Sequence, residues 1–221
     1  QADVCVIGAG FSGIAAALTL AERGYEVVVV EQNSVGWGAS GRNGGQVIGG
    51  MAGEDNLYKF WGESHADTLF ELGYRGHDII NKRVQQYGIE CDLKSGYVDV
   101  GLKPRHLEQQ KKWHQALCER GMESQVRLVS AADMPALVGT DKYLGGLVNY
   151  RNGHLHPLNL CLGEARAATA LGVSIYEGSE VTGIEHGPRP VVKTSQGSVR
   201  ARFVILAGNA YHYLEAKQLG G

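Results

Sequence analysis

Apolar and polar residues follow one another along this chain in patterns that alternate between strand-like and helix-like. An apolar run at 3–7 predicts a buried strand, residues 14–23 have helical spacing, and a second apolar run at 26–30 ends in the acid Glu31. This order of strand, helix and strand predicts a β-α-β unit over residues 1–31.

The middle of the chain has a pattern richer in helix. Apolar residues recur with helical spacing over 56–87, which predicts one long helix or two shorter ones, ended by Gly88. The further predicted elements are a strand at 96–102, a helix at 104–120, a short strand at 126–129, a short helix at 131–138 and a strand at 144–150.

After this middle region the pattern returns to alternating helices and strands. Pro157 opens a predicted helix that Gly172 closes. The remaining predicted elements are strands at 173–176 and 181–185, a hairpin of 191–194 with 198–202, and a strand at 203–206. The predicted fold class is therefore α/β, with a doubly wound, Rossmann-type core from 1–53 and 155–221 and an inserted α+β region at 54–154.

The turn between the first predicted strand and helix carries a G-x-G-x-x-G motif, formed by Gly8, Gly10 and Gly13. Gly8 permits the tight turn, Gly10 lets the backbone approach a pyrophosphate, and Gly13 lets the helix pack closely on the strand. The N–H groups at the helix N-terminus favour phosphate oxygens. Glu31, which ends the second strand, is placed to accept hydrogen bonds from ribose hydroxyls and would repel the additional phosphate of NADP.

Composition and charge narrow the class of protein. The chain is 43% apolar and 20% charged, with a net charge of −2, which is ordinary for a soluble globular protein and gives no reason to expect nucleic-acid binding. No apolar run reaches the ~20 residues of a membrane-spanning helix. Because the first predicted strand begins at residue 3, we also expect no signal peptide.

The cysteines and histidines do not form a recognisable metal site. The four cysteines have no C-x-x-C spacing, and we interpret them as buried, reduced thiols, which predicts a cytoplasmic protein. Disulfides or metal ligands are the less favoured alternative. His154 and His156 form an H-x-H pair without a neighbouring acid or cysteine, so no metal is predicted.

A second glycine-rich stretch lies within residues 32–53, which we predict to be an ordered loop with a short helix. Its segment 36–46, GWGASGRNGGQ, has the glycines that make backbone N–H groups accessible to a ligand. Arg42 can offset phosphate charge, and polar side chains at Ser40, Asn43 and Gln46 can donate or accept hydrogen bonds. The alternative is a flexible surface loop in which Arg42 forms a surface ion pair.

These motifs, in this order, resemble a known family. The segments DVCVIGAGFSGIAAAL, EVVVVEQN and GWGASGRNGGQ resemble the FAD-dependent D-amino-acid oxidase superfamily, in particular its glycine/sarcosine-oxidase-like and γ-glutamylputrescine-oxidase-like members. Further along, GHLHPLNLCLGEARAATALGVSIYEGSEVTGIE resembles the segment that rejoins the family's FAD domain. RFVILAGNAY resembles the strand before an alanine–glycine turn at the cofactor. The resemblance is good at both ends of the chain and poor in the insertion.

The resemblance implies a function and a binding site. The implied function is oxidation of the C–N bond of an amine or amino acid, by hydride transfer to a non-covalently bound FAD. Val181 is expected to contact the adenine through its backbone. The cofactor-binding residues that the resemblance implies are Gly8, Gly10, Phe11, Ser12, Gly13, Glu31, Gln32, Gly38, Ala39, Ser40, Arg42, Asn43, Gly44, Gly45, Gln46, Val181, Ala207 and Gly208.

The resemblance also implies a larger protein with two domains. The later half of such a protein supplies much of the substrate domain, and this chain stops soon after the alanine–glycine turn. We therefore expect that a C-terminal half or a completing chain is missing, and we assign no residue to catalysis on the substrate. Two alternatives stay open: an NAD-dependent dehydrogenase, which fits the glycine-rich loop and the insertion poorly, and a cofactor-holding fragment or subunit without activity of its own.

Overall fold

The computed structural model describes residues 1–50 and 54–211. The strands are β1 Ala2–Ile7, β2 Val27–Val30, β3 Gln46–Val47, β4 Lys94–Gly101, β5 Val126–Ser130, β6 Gly145–His154, β7 Ser174–Tyr176, β8 Val181–Glu185, β9 Val191–Thr194 and β10 Gly197–Leu206. The helices are α1 Phe11–Ala21, α2 Glu54–Trp61, α3 Ala66–Tyr87, α4 Pro104–Glu119, α5 Met134–Val138 and α6 Pro157–Ala170. Short 3₁₀ helices occur at Ala39–Gly41, Glu63–His65 and Asn209–Tyr211.

The chain divides into two compact units. The first unit comprises Gln1–Gly44, Arg83–Cys91 and the chain from His156 onward, and the second comprises Gly45–Lys82 and Asp92–Leu155. Residues 51–53 of the predicted loop and residues 212–221 of the predicted core lie outside the described residues. The domain boundaries at 53/54 and 154/155 stay a prediction.

The described strands of the first unit form a six-stranded sheet in the order β7-β2-β1-β10-β9-β8. Its β7, β2, β1 and the second half of β10 run parallel, whereas β8, β9 and the first half of β10 are antiparallel. A central parallel strand is buried on both faces and is therefore apolar at successive positions, which explains the continuous apolar run at 3–7.

Each face of this sheet has its own apolar core. Because successive side chains of a strand point to opposite faces, Val4 and Val6 of β1 pack with residues of α1 and α6 such as Ile14 and Ala168. Cys5 and Ile7 face the other way and join a cluster that includes Val192 of β9. The two clusters hold β1 in the centre of the first unit.

Helix α1 has a glycine at its N-cap and another three residues after its last residue. Gly10 is its N-cap, with extended backbone (φ −83°, ψ −172°), so the helix starts within the glycine-rich turn. At the other end, Gly24 adopts a φ of +82°, and the Tyr25 N–H donates to the Leu20 carbonyl at 3.1 Å. Such a left-handed residue is a common way to end a helix.

A buried ion pair connects the helices of the first unit. Arg83, near the end of α3, donates to a Glu164 carboxylate oxygen on α6 at 2.9 Å, and both side chains are about 95% buried. The second guanidinium nitrogen of Arg83 donates to Thr19 Oγ1 at 2.7 Å and to the Ala15 carbonyl at 3.2 Å on α1. One arginine therefore connects α1, α3 and α6.

The second unit is built on the long strand β6. This strand pairs antiparallel with β4, β5 and β3. One apolar cluster contains Tyr74 of α3 with Met122, Val126 and Leu147, and another contains Met134 of α5 with Val129 and Val148. The second unit is therefore α+β, with apolar clusters of its own.

The structure confirms the predicted α/β fold class. The segment 56–87 forms two α-helices, α2 and α3, which is one of the two predicted alternatives. Two other segments differ from the sequence prediction. The short strand β3 lies inside the predicted loop 32–53, since its two residues pair with the end of β6. The segment 197–206 is one strand, β10, which changes partner from β9 to β1 along its length. None of the described helices is long and apolar enough to cross a membrane.

Candidate functional site

A cleft of about 500 Å³ lies in the first unit, at the carboxyl ends of β1, β2 and β10. From β1 the chain continues to β2 and β7 on one side of the sheet and returns to β10 on the other. Ligands of open α/β sheets bind at such a reversal of strand order. The cleft is lined by Ile7, Gly8, Gly10, Phe11, Ser12, Val30, Glu31, Gln32, Asn33, Trp37, Gly38, Ala39, Ser40, Ser179, Glu180, Val181, Thr182, Ala207, Gly208 and Asn209.

The glycine-rich turn forms the floor of this cleft. Gly8 has a φ of +106°, and a Cβ there would lie 2.7 Å from the Ala207 carbonyl oxygen. A Cβ on Gly13 would lie 1.9 Å from the Gly8 carbonyl oxygen, so the helix packs against the turn at a distance that only glycine permits. A Cβ on Gly10 would lie 2.8 Å from Ser40 Oγ, so glycine at this position leaves room for the Ser40 side chain.

The loop after β2 packs directly on this turn. Ser40 Oγ accepts a hydrogen bond from the Phe11 N–H at 2.9 Å, and the Gly36 N–H donates to the Ala9 carbonyl at 2.9 Å. The first turn of α1 contains no acidic residue, so no carboxylate there opposes an anion at the helix N-terminus. The turn and the loop therefore form a surface that suits phosphate oxygens.

The carboxylate of Glu31 is fixed at the end of β2. One oxygen accepts from the Ala9 N–H at 2.7 Å and the other accepts from the Asn33 N–H at 2.9 Å. The backbone of Glu31 is held as well, because its carbonyl accepts from the Ser179 N–H at 2.7 Å. An ionised carboxylate has about four lone-pair sites, so acceptor capacity remains for the hydroxyls of a bound ribose.

Two thirds of the predicted site residues line the cleft. They are Gly8, Gly10, Phe11, Ser12, Glu31, Gln32, Gly38, Ala39, Ser40, Val181, Ala207 and Gly208. They come from separate parts of the chain, since β10 brings Ala207 beside Gly8 through the hydrogen bond from the Ala207 N–H to the Ile7 carbonyl at 2.8 Å.

The other predicted residues lie elsewhere in the described chain. Gly13 lies beneath the turn, where it packs on Gly8. Arg42 is exposed and donates from Nε to the Trp37 carbonyl at 2.6 Å, and Asn43 donates to the carbonyls of Ala39 and Ser40. Gly44 is exposed and follows these residues at the end of the loop, and Gly45 and Gln46 begin the second unit.

Several residues line the cleft in addition to those predicted from the sequence. Ile7 and Val30 are the last residues of β1 and β2, and Asn33 and Ser179 lie within three residues of a strand end. Their closeness in sequence to the predicted site residues is the signal that could have identified them. Asn209 has a positive φ of 52°, and asparagine is among the residues that tolerate this conformation. The remaining additions are Trp37, Glu180 and Thr182.

The two histidines of the H-x-H motif lie at the ends of two different elements. His154 ends β6, where it pairs with Gln46 and Lys94. His156 is the N-cap of α6, and its Nδ1 accepts from the Asn159 N–H at 3.2 Å. The two side chains therefore belong to different elements in different units.

The cleft has the chemistry that an adenine dinucleotide requires. Backbone N–H groups and a helix N-terminus suit the pyrophosphate, the Glu31 carboxylate suits ribose hydroxyls, and the glycines leave room for close approach. The fold and this site define a dinucleotide-binding α/β protein.

Comparison with known proteins gives the family. A family model described as FAD-dependent oxidoreductase matches residues 3–221. The chain belongs to this family of FAD-dependent oxidoreductases, whose cofactor is FAD.

Two relatives are similar over almost the whole chain. The chain is 41% identical to gamma-glutamylputrescine oxidoreductase of Escherichia coli (strain K12) over 95% of its own length and 49% of that protein. It is 44% identical to the probable oxidoreductase OrdL of Haemophilus influenzae over 96% of its own length and 49% of that protein. The chain thus spans about half the length of these relatives.

A solved structure supports the fold assignment. Glycine oxidase from Geobacillus kaustophilus superimposes with a TM-score of 0.77 at 20% identity, over 99% of this chain and 58% of that one. At this identity the similarity concerns the fold.

Proposed function

We propose that the intact protein oxidises the C–N bond of an amine or amino acid, with hydride transfer to a non-covalently bound FAD. The observation that carries this proposal is the 41% identity to gamma-glutamylputrescine oxidoreductase over 95% of the chain. The glycine-lined cleft with Glu31 at its edge supports it, because it supplies the groups that hold an adenine dinucleotide.

In this proposal the cleft residues hold the cofactor by contacts along its length. Gly8, Gly10 and Ser12 meet the pyrophosphate at the N-terminus of α1, where aligned N–H groups stabilise negative charge. Glu31 accepts from ribose hydroxyls, and the backbone of Val181 contacts the adenine. The full proposed set also includes Phe11, Gln32, Gly38, Ala39, Ser40, Ala207 and Gly208 in the cleft, and Gly13, Asn43, Gly44, Gly45, Gln46 and, through its contact with Trp37, Arg42 outside it.

The proposed reaction balances as a two-electron oxidation. When bound, FAD supplies the acceptor for the hydride that leaves the carbon beside the nitrogen. The substrate nitrogen loses a proton, and the resulting imine takes up water to give a carbonyl compound and ammonia, or an amine where the nitrogen of the substrate carries a second carbon group. Molecular oxygen or another electron acceptor then reoxidises the cofactor. In this proposal the residues of this chain bind and orient the cofactor.

The cysteines support non-covalent attachment. Burial raises the pKa of the Cys5 and Cys161 thiols to about 12, so both are protonated and unreactive at neutral pH. Cys91 is also buried, and Cys118 is half-buried on α4 in the second unit.

We propose that the FAD domain comprises 1–53 and 155–221, and that 54–154 contributes to a substrate domain completed by the rest of the protein.

The proposal is tested on the intact, full-length protein. We expect a flavin absorption spectrum, release of free FAD on acid denaturation, and hydrogen peroxide formation with members of a panel of amines and amino acids that includes γ-glutamylputrescine and glycine. The same substrates are also assayed with an artificial electron-acceptor dye, which detects turnover that does not use oxygen.

Two outcomes would contradict the proposal. Protein that neither contains nor binds FAD on reconstitution, but is stabilised by NAD in a thermal-shift comparison, would favour an NAD-dependent dehydrogenase. Protein that binds FAD but oxidises no amine or amino acid with either acceptor would favour a cofactor-holding subunit.

A further inference from the structure

A tryptophan forms part of the cleft wall in the first unit. Trp37 lines the cleft together with Glu31, Gln32 and Ser40, and 47% of its surface is exposed. A large aromatic side chain in a binding cleft is a common contact for a flat ligand, because stacking removes the apolar faces of the ring and of the ligand from water.

The segment that carries Trp37 is anchored to the glycine turn. The Gly36 N–H donates to the Ala9 carbonyl at 2.9 Å, and the Trp37 N–H donates to the Ser34 carbonyl at 3.0 Å. The backbone before the ring is therefore fixed relative to the pyrophosphate side of the cleft.

Arg42 fixes the ring itself. Its guanidinium lies 4.8 Å from the centre of the Trp37 ring, which is a cation–π contact. Its Nε also donates to the Trp37 carbonyl at 2.6 Å. These two contacts hold Arg42 on Trp37, and Arg42 is not among the residues that line the described cleft.

We propose that Trp37 packs against the adenosine-diphosphate half of FAD, and that Arg42 is a positioning residue that acts through Trp37. This inference rests on the proposed function. The choice of the adenosine-diphosphate half follows from the other groups that line this cleft, since Glu31 suits a ribose and Ser40 lies at the glycine turn that suits the pyrophosphate.

The test measures binding by the deflavinated full-length protein. FAD, ADP and FMN are titrated by calorimetry into the wild type, Trp37→Ala, Trp37→Phe, Arg42→Gln and the double variant Trp37→Ala/Arg42→Gln. Loss of a stacked aromatic weakens binding by about five- to a hundredfold. We expect this loss for FAD and ADP with Trp37→Ala, a much smaller loss with Trp37→Phe, and no change for FMN.

The double variant separates a role through Trp37 from a direct phosphate contact. If Arg42 acts through Trp37, Arg42→Gln weakens FAD binding in the wild type and has no further effect in Trp37→Ala. If the effect of Arg42→Gln persists in Trp37→Ala, Arg42 contacts the cofactor directly and the positioning role is overturned.

A matched control lies in the same unit. Phe203 is 60% exposed under the guanidinium of Arg202 at 5.8 Å, and neither residue lines the cleft. We expect Phe203→Ala to bind FAD and ADP as the wild type does. Trp37→Leu, which keeps apolar bulk without a flat ring, replaces Trp37→Ala if circular dichroism shows that the latter is unfolded.

The outcomes keep the two proposals apart. If the wild type binds no FAD, the proposed function fails. If the wild type binds FAD, and Trp37→Ala or Trp37→Leu binds FAD and ADP equally well, the inference about Trp37 fails while the proposed function stands.

Discussion

The carboxylate of Glu31 is held by two backbone N–H groups, so its position in the cleft does not depend on a ligand. Hydrogen bonds to a charged group contribute about 1.5–3 kcal/mol each. A glutamine would retain the size of the side chain, but it would lose the charge and turn a donor towards one of the N–H groups.

We therefore predict that Glu31→Gln weakens FAD binding by about tenfold or more. The measurement is the dissociation constant for FAD of the deflavinated, full-length protein. The control is Glu26→Gln, whose exposed side chain precedes the same strand outside the cleft. Equal affinities for the wild type and Glu31→Gln would contradict the assigned role of the carboxylate.

Gly13 is a position where packing alone decides the residue type. A Cβ there would overlap the Gly8 carbonyl oxygen at 1.9 Å, so Gly13→Ala forces α1 away from the turn. Forced overpacking costs about 1–3 kcal/mol and occasionally more. We predict a lowered thermal unfolding midpoint for Gly13→Ala and weaker FAD binding.

The comparison for this variant is Gly183→Ala in β8, where an added Cβ meets nothing within 4 Å. We expect its unfolding midpoint to stay close to that of the wild type. If both variants unfolded at the wild-type midpoint, the close packing of α1 on the turn would be wrong.

Arg83 connects the three helices α1, α3 and α6 through its hydrogen bonds and its buried ion pair with Glu164. Removing one member of a buried ion pair leaves a buried charge without that partner, which costs about 3–5 kcal/mol. We predict that Arg83→Met destabilises the protein strongly. Glu164→Gln should destabilise it less, because Arg83 keeps an ion pair with Glu22 at 3.8 Å. The double variant should lose less than the sum of the two, which is measured by urea unfolding.

An exposed ion pair provides the contrast. Lys111 and Glu108 pair at 2.9 Å on the surface of α4, and such pairs contribute little because water screens them. Glu108→Gln should leave the urea midpoint unchanged. Full additivity of the Arg83 and Glu164 effects would contradict a direct coupling between these two side chains.

The same elements show which parts of the fold could be predicted. Helix α1 and strands β1 and β2 follow from local apolar spacing and from glycines at turns, which are properties of short segments. Strand β3 was not predicted, because its two residues form a strand through pairing with β6. The single strand β10 was predicted as two segments, because its change of partner leaves no mark in the local pattern.

The stability of the whole molecule should depend on alkaline pH through its buried thiols. Burial raises the pKa of Cys5 and Cys161 from an ordinary value of about 9 to about 12. Between these values the unfolded chain has lost the thiol protons and the folded chain keeps them, so rising pH favours unfolding. The stabilisation is complete below pH 9 and is lost as the pH rises towards 12.

We predict that the urea midpoint of the full-length protein falls above about pH 9, and that it falls less steeply in Cys5→Ala. Comparing the variant with the wild type at each pH cancels the contributions of all other groups. Parallel alkaline profiles for the two proteins would contradict a raised pKa of the Cys5 thiol.

The sequence by itself determined the glycine turn, the acid at the end of β2 and the family resemblance, because these depend on residue types at short, fixed spacings. The tertiary structure decided which distant segments complete the cleft: β10 places Ala207 against Gly8, and the turn after β7 holds Glu31 through the Ser179 N–H. It also decided the place of Arg42, which lies on the Trp37 ring outside the cleft. A charge suited to phosphate is visible in a sequence, whereas the direction of its side chain depends on which neighbours the folded chain brings within contact distance.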